Sequence, residues 1–427
     1  MKSTLRTSLN YVCYGGIAQS AMDTFATGTL ITAYALLLGA GDMTIGFLAA
    51  IPYLSNLMHL FVAFLLEKGF SVKKISVVCS FFARPFLLLA SLLVFYAGKS
   101  WTPIVLVIFL GGLYGIGNMV GGAWRPWMRA LIPVPIMGRF FANRFKYMMI
   151  AKIFCFGFSY FLLKFFQFYY PAYEIYAYSI LLLLAFGIGI YGAYTSVVIE
   201  DVPLKFYRKT PFLHKLMHCL KQKPFILFVW ILGCLNLSVN FVLPFFTVFL
   251  LEKLKLQMSS ILILTVLSQI AYIFVMKTLG IWSDKQGAKR ILYITVPAFV
   301  ISIIGFLILN VGYLNSLVMW MILICSYVLI GIGTAGFSLG VNNLSLLYVP
   351  KRLGSVYLSL TGAGISFLGA IGAISGGFCL SVFKQISNQA EHDITSWCML
   401  FGVSIFLFVF SIVQLKKLEQ IKSRKVS

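Results

Sequence analysis

The sequence predicts an all-α membrane protein with twelve transmembrane helices, arranged as two related six-helix bundles, and with both termini in the cytoplasm. The first observation behind this prediction is composition, because 60% of the 427 residues are hydrophobic and only 11% are charged. A soluble domain carries roughly 25% charged residues, since water must solvate its surface. The mean hydropathy of +0.95 therefore indicates a surface that largely faces lipid.

The second observation is a series of apolar runs, each long enough to cross a bilayer with about 20 residues. A polar stretch separates six runs from six, which predicts an N-terminal bundle at 1–198, a cytoplasmic connector at 199–224 and a C-terminal bundle at 225–427. The twelve runs lie at approximately 9–38, 45–66, 75–97, 103–124, 145–166, 175–198, 225–249, 259–279, 290–310, 316–340, 355–382 and 395–415.

The third observation is the distribution of basic residues. Of the 34 Lys and Arg residues, 25 lie in the termini and alternate connectors on one side, and only 5 lie in the connectors on the other side. The positive-inside rule places the basic side in the cytoplasm, which requires an even number of spans. The net charge of +23 thus reflects topology, and we expect no nucleic-acid partner.

The middle connector contains the stretch TPFLHKLMHCLKQKP, which predicts a short amphipathic helix. Its apolar face and its basic face suit the inner leaflet, where basic side chains meet anionic headgroups. The apolar face consists of Leu213, Leu216, Met217 and Leu220, opposite Lys215, His218 and Lys221. His214 and His218 are spaced as a metal pair could be, but no acidic partner has suitable spacing, so we predict no metal site.

Catalytic and cofactor motifs are absent from the sequence. None of the eight cysteines forms a CxxC pair, and seven lie in apolar runs, where a cysteine behaves as a small hydrophobic residue. There is no Walker A motif, nucleophile elbow or HExxH. We therefore predict that the protein is not an enzyme and uses no cofactor.

Two pairs of cytoplasmic connectors repeat at one offset. Lys73 and Lys289, after the second and eighth runs, are 216 residues apart, and so are Gly138 and Gly354, after the fourth and tenth runs. A shared offset indicates duplication of a six-helix unit, as found in repeat-built transporters.

The connector after the eighth run, GIWSDKQGAKR, resembles the cytoplasmic loop motif of the major facilitator superfamily, in a bacterial type whose subfamily is unclear. The stretch WMRALIPVPIMGRFF after the fourth run is also similar to bacterial members. The resemblance implies a carrier in a bacterial inner membrane, with loops that hold the two halves together on the cytoplasmic side. The motif residues are Gly280, Asp284, Lys285, Gly287, Lys289 and Arg290, and Glu67 marks a degenerate first-half copy.

The motif also has a physical interpretation of its own. Gly280 and Gly287 permit close packing and a tight reversal, and the Asp284 carboxylate can meet a helix N-terminus or a basic residue. The alternative is that Lys289 and Arg290 only hold the loop in the cytoplasm.

Asp23 is the most informative ionisable residue, because it lies near the middle of the first run, where a charge is costly unless paired or hydrated. Gln19 and Thr27 stand one turn away on either side, which creates a polar stripe. Burial favours the neutral form of a carboxyl group, which would suit proton coupling. The alternative is a structural salt bridge with Arg84 or Lys152.

Two cations share the membrane interior with Asp23. Arg84 lies in the third run and is followed by Pro85. It is interpreted as a structural charge partner, because the resemblance to the major facilitator superfamily implies that third helices are peripheral supports. Lys152, in the fifth run, could face the cavity or Asp23, and with Arg84 it could bind an anionic substrate.

Further polar candidates are uncharged. His59, near Asn56 in the second run, is either a proton relay or a satisfied polar contact. Asn118 accompanies a stripe of glycines in the fourth run. Asn236 and Asn240 share a face of the seventh run, where they could bind a solute or join helices. Aromatic residues such as Tyr114 are expected in the core or facing lipid.

These residues together predict a monomeric secondary active transporter that moves a small organic solute by alternating access, with protons as the coupling ion and lipid as its surroundings. Symport and antiport both remain open. The alternatives are an efflux permease for amphipathic compounds and a non-transporting receptor or scaffold. A polar cavity around Asp23 would favour transport, whereas an aromatic plug would favour the scaffold.

Overall fold

The computed structural model describes residues 3–202, 212–312, 315–348, 354–387 and 393–417, and these ranges are almost entirely helical. Contacts divide the chain into two compact units. One comprises Met1–Thr44 and Ile51–His214, and the other comprises Ile45–Ala50 and Lys215–Ser427.

The helices as far as the connector are α1 (Ser3–Ala26), α2 (Gly28–Leu37), α3 (Asp42–Ser55), α4 (Met58–Glu67), α5 (Val72–Ala83), α6 (Pro85–Leu92), α7 (Thr102–Leu131), α8 (Val134–Tyr169) and α9 (Glu174–Val198). Those that follow are α10 (Phe212–Leu220), α11 (Lys223–Val248), α12 (Met258–Gln286), α13 (Ala288–Val311), α14 (Ser316–Tyr348), α15 (Gly354–Ser387) and α16 (Asp393–Lys416). Short 3₁₀ turns cover Leu93–Tyr96 and Pro171–Tyr173, and a π-helical turn, Phe249–Lys253, extends α11.

Eleven helical segments within the described ranges are long and apolar enough to cross a membrane. They coincide with the eleven apolar runs predicted from residue 45 onward, and they make this a multi-pass integral membrane protein. The first predicted run, 9–38, is not among them. The structure corrects the expectation of one uninterrupted helix there, because α1 ends at Ala26 and α2 begins at Gly28.

The break in the first run has a local cause. Thr27 has an extended backbone, and Gly28 has a φ of +60°, which a glycine adopts without steric cost. The Thr27 hydroxyl donates to the carbonyl oxygen of Asp23 at 2.6 Å. An interrupted helix is tolerated inside the membrane where side chains bond to the backbone groups that the interruption leaves without a partner. The interruption here lies one turn from Asp23.

A second interruption lies between α3 and α4. The backbone N–H of Asn56 donates to the carbonyl of Tyr53 instead of continuing the α-helical pattern to Pro52. Asn118 on α7 donates its Nδ2 to the Pro52 carbonyl at 3.4 Å. One polar side chain of α7 therefore satisfies a carbonyl that the helix itself leaves open.

Both units use the same helix neighbours. In the first unit α1 packs on α8 and α9, and α5 packs on α7; in the second, α11 packs on α15 and α16, and α13 packs on α14. In the second unit, α11 and α15 pack closely because Gly372 and Gly376 of α15 lie against the backbone carbonyls of Leu237 and Phe241. Small residues at such contacts let helices approach without a hydrophobic driving force.

Candidate functional site

A polar pocket of about 320 Å³ lies inside the first unit. Side chains from α1, from α7, and from the junction of α5 and α6 converge on it. Its lining consists of Gln19, Met22, Asp23, Ala26, Thr27, Pro52, Arg84, Leu113, Tyr114, Gly117 and Asn118. The predicted stripe on α1 and the predicted cation Arg84 thus meet in one cavity.

A hydrogen-bonded relay connects the two charged groups of the pocket. Arg84 donates from Nη2 to Gln19 Oε1 at 2.9 Å, and Gln19 donates from Nε2 to Asp23 Oδ1 at 2.8 Å. The amide is oriented by this pair, because its oxygen can only accept and its nitrogen can only donate. Gln19 therefore carries the interaction between guanidinium and carboxylate, a role that spacing alone does not reveal.

Arg84 is held in place by the break between α5 and α6. Pro85 cannot donate a backbone hydrogen bond and begins α6. Arg84 is only 5% exposed, and its Nε donates to the Gly189 carbonyl of α9 at 3.4 Å. A Cβ at Gly189 would stand 2.8 Å from Arg84 Cδ, so a larger residue there would displace the guanidinium. Sequence reasoning missed Gly189.

Lys152 acts on the pocket without lining it. Both Arg84 and Lys152 interact electrostatically with Asp23, and Lys152 Nζ lies 6.0 Å from the ring centroid of Phe156. Two cations around one carboxylate help to offset the cost of a charge at this depth.

The α7 side of the pocket carries hydrogen-bonding groups. Tyr114, expected in the core or facing lipid, lines the pocket together with Asn118. Since α7 is one continuous helix, residues four apart share a face, and this periodicity is the signal by which Tyr114 could have been found.

His59 and Asn56 lie on α4 and at the end of α3, and neither belongs to the pocket lining. His59 hydrogen-bonds to the backbone of Asn118 and packs beside Gly121, whose Cβ position would be 3.1 Å from His59 Nε2. The imidazole thus has a hydrogen-bond partner on α7, which agrees with the interpretation of His59 as a satisfied polar contact.

Asn236 and Asn240 are packed inside the second unit and are 4% and 2% exposed. Asn236 donates to the Ile365 carbonyl of α15 at 2.8 Å, and Asn240 donates to the side-chain oxygen of Asn236 at 2.9 Å. Gly369 lies directly against both amides. This arrangement joins two helices.

The loop motif has one well-defined backbone feature. Gly287 separates α12 from α13 with a φ of +88°, which is the tight reversal that its position predicts. Lys289 Nζ lies 5.3 Å from the ring centroid of Tyr293, while Lys285 and Arg290 are exposed. Gly280 has open space at its Cβ position, and the Glu67 side chain is half-buried. The side chain of Asp284 lies outside the described part of the chain.

Comparison with known proteins supports the fold. No protein-family model matches the chain, and no match was found among curated proteins. Among solved structures, the nucleoside transporter NupG has a TM-score of 0.70 at 13% identity, over 98% of this chain and 99% of that one. A D-xylose-proton symporter has a TM-score of 0.71 at 10% identity, over 96% and 97% of the two chains.

A bacterial homologue of the iron transporter ferroportin has a TM-score of 0.65 at 15% identity, over 98% of this chain and 99% of that one. At these identities the likeness concerns the fold. The chain has the fold of major facilitator-type transporters.

Proposed function

We propose that the protein is a secondary active transporter that moves a small polar organic solute by alternating access, with proton coupling through Asp23. The observation that carries the proposal is the relay of Arg84, Gln19 and Asp23 on the wall of a polar pocket. Structural neighbours include a nucleoside transporter and a D-xylose-proton symporter, which supports transport of organic solutes. The predicted location is a bacterial inner membrane.

The chemistry of the pocket favours an organic solute as its cargo. The lining offers a carboxylate and a guanidinium, together with the amides of Gln19 and Asn118 and the hydroxyls of Thr27 and Tyr114. Such a mixture pairs with the hydroxyl, amine and carbonyl groups of an organic molecule. A transition-metal cargo would call instead for several soft or imidazole ligands.

The relay suggests how protonation could change the pocket. While Asp23 is ionised, its bond from Gln19 is charge-assisted and therefore stronger and shorter than a neutral one. A proton on Asp23 removes this assistance and leaves the positive charge of Arg84 less compensated. The break at Thr27 and Gly28 lies one turn away, and hinges absorb changes in backbone angles at such ends of helices.

The test is transport in proteoliposomes of purified protein, with a solute first identified by a thermal-shift screen. Asp23→Asn removes the titrating group but retains hydrogen-bonding capacity toward Gln19. We expect solute accumulation driven by a pH gradient to fall at least about tenfold, a loss of about 1.4 kcal/mol of coupling. Exchange of solute without a gradient should persist.

Glu174→Gln is the matched control, because Glu174 is a carboxylate at the first turn of α9 that pairs with Gln167 at 2.8 Å, outside the pocket. It should behave as wild type. Unchanged accumulation and pH dependence in Asp23→Asn would refute the coupling role, and a protein that binds solute but moves none in either direction would be the scaffold alternative.

A further inference from the structure

The amphipathic helix of the connector is attached to the beginning of α15. Cys219 of α10 is completely buried, and its thiol is a hydrogen-bond partner of the Tyr357 hydroxyl. The same hydroxyl donates to Gln222 Oε1. The ring of Phe225 meets the ring of Tyr357 edge to face, with centroids 4.8 Å apart. Two connector residues, Cys219 and Gln222, and Phe225 of α11 thus converge on one side chain of α15.

Gln222 ties these parts together. It precedes α11, and its backbone N–H donates to the Cys219 carbonyl at 3.1 Å while its own carbonyl accepts from Phe225 at 3.0 Å. Its Nε2 donates to His218 Nε2 at 3.1 Å, so the amide spans from α10 to Tyr357. We name Cys219, Gln222 and Tyr357 the connector clasp.

Other described side chains of α10 are exposed. Met217 and Leu220 are 53% and 48% exposed, and the exposed cations Lys221 and Lys223 follow them in the sequence. Lys223 also begins α11, a membrane-spanning helix, so this surface lies at the end of a span. Exposed apolar side chains next to lysines are the pattern that an anionic lipid surface binds.

We propose that the end of α10 and the start of α11 bind an anionic lipid surface through Met217, Leu220, Lys221 and Lys223, and that this binding closes the connector clasp on α15. Because these four exposed side chains are not the clasp residues, lipid and clasp can be engaged at once. Anything that binds the closed state preferentially stabilises it, and the clasp in turn strengthens lipid binding. The proposal does not depend on the solute or on Asp23.

Cys219 supplies the measurement, because a completely buried thiol reacts with a maleimide only after local opening. The full-length protein is placed in vesicles of phosphatidylcholine alone, or of phosphatidylcholine with an equal share of phosphatidylglycerol, and labelling of the Cys219 peptide is followed by mass spectrometry. We expect labelling to be about five- to thirtyfold slower in the anionic vesicles, as two surface lysines predict.

Tyr357→Phe removes the hydroxyl but keeps the ring against Phe225. It removes the hydrogen bonds of the hydroxyl with Gln222 and Cys219. It should accelerate Cys219 labelling at least about fivefold in both vesicles, because the loss of one hydrogen bond alone costs about 1 kcal/mol. The double variant Lys221→Gln and Lys223→Gln should abolish the difference between vesicles. Its matched control, Lys68→Gln with Lys74→Gln, removes two exposed cations elsewhere and should preserve that difference.

Equal rates of Cys219 labelling in the two kinds of vesicle would overturn the proposed binding of anionic lipid, regardless of the result for Tyr357→Phe. If Tyr357→Phe does not accelerate Cys219 labelling and keeps the full difference between the two kinds of vesicle, the proposed role of the connector clasp is overturned. Solute transport is not the readout, so failure here is distinguishable from failure of the proposed transport function.

Discussion

The interiors of the two units differ more than their helix arrangements do. The first unit holds a polar pocket. The same unit contains both charged residues that are buried within the described ranges, Asp42 and Arg84. The second unit contains a packed cluster of aromatic rings. Phe246 stacks on Phe306 at 4.2 Å between centroids, and Phe249 meets Trp397 edge to face at 5.1 Å.

The connector offset sharpens this contrast. Moving 216 residues along from Gln19 and Asp23 leads to Leu235 and Val239, which are 0% and 5% exposed. The same helix position thus carries ionisable chemistry in one unit and aliphatic packing in the other. Duplicated helix pairing preserves a scaffold, while the site belongs to particular side chains. The ionisable side chains of this position therefore belong to the first unit, and its equivalent in the second unit is firmly packed.

The largest expected effect comes from making the first unit resemble the second. Arg84→Leu alone leaves Asp23 without its main cation, and removing one partner of a buried charge pair costs about 3–5 kcal/mol. The variant should unfold at a markedly lower temperature in a thermal scan of purified protein. Combined replacement with Gln19→Leu and Asp23→Val should restore most of this stability yet abolish transport.

If Arg84→Leu were as stable as wild type, the relay would not stabilise the fold. The difference between the two interiors would then have no consequence for stability. Equal stability of the single and triple variants would have the same consequence, since coupled residues should show a non-additive response.

The close packing of the second unit is tested by Gly369→Leu. A side chain at Gly369 would overlap Asn236 and Asn240, and overpacking of this kind costs about 1–3 kcal/mol. Gly362→Leu on the same helix is the control, because its Cβ position meets nothing within 4 Å. A lower unfolding temperature is expected for Gly369→Leu only, and similar temperatures for both variants would contradict the packing assignment.

Asn236→Leu should have a smaller effect, and one confined to stability. It removes the bond to the Ile365 carbonyl, with an expected cost of about 1–3 kcal/mol for the buried group left behind. Transport of the identified solute should remain near wild type, measured as initial uptake rate in proteoliposomes. A large rise in KM with unchanged stability would instead assign Asn236 to solute binding.

The smallest expected effect on stability is that of Asp284→Asn in the loop motif. We expect no shift of the unfolding temperature but a changed balance of conformations, because the variant lacks the charge that the predicted interaction requires. Accessibility of introduced cysteines from each side of the membrane measures this balance, and Gln286→Ala, at an exposed position outside the named motif residues, is a control in the same loop. Identical labelling in Asp284→Asn and wild type would leave Asp284 as a topology signal only.

Much of the fold follows from chemistry that acts locally along the chain. Spans depend on the length and apolarity of a run, and the structure places helices at the eleven runs predicted from residue 45 onward. Gly287 was predicted as a reversal because only glycine adopts its φ of +88° readily. Asp23 and Arg84 were also identified from the sequence as candidates, since charges are costly in hydrocarbon wherever they occur.

Other features required the tertiary structure, because they depend on which helices become neighbours. Gln19 could be read as part of a stripe, but its position between Arg84 and Asp23 arises only when α1 meets the junction of α5 and α6. Gly189 matters because α9 packs on that junction. The break at Thr27 was missed, since an apolar run does not show where its helix stops.

The sequence by itself determined the class of the protein, its span-forming runs and the charged residues worth testing, because hydrophobicity and the cost of buried charge are properties of the residues themselves. The tertiary structure alone decided that Asp23, Gln19 and Arg84 line one pocket, and that Asn236 bonds α11 to α15. Such pairings depend on the packing of distant helices against one another, which no local pattern encodes.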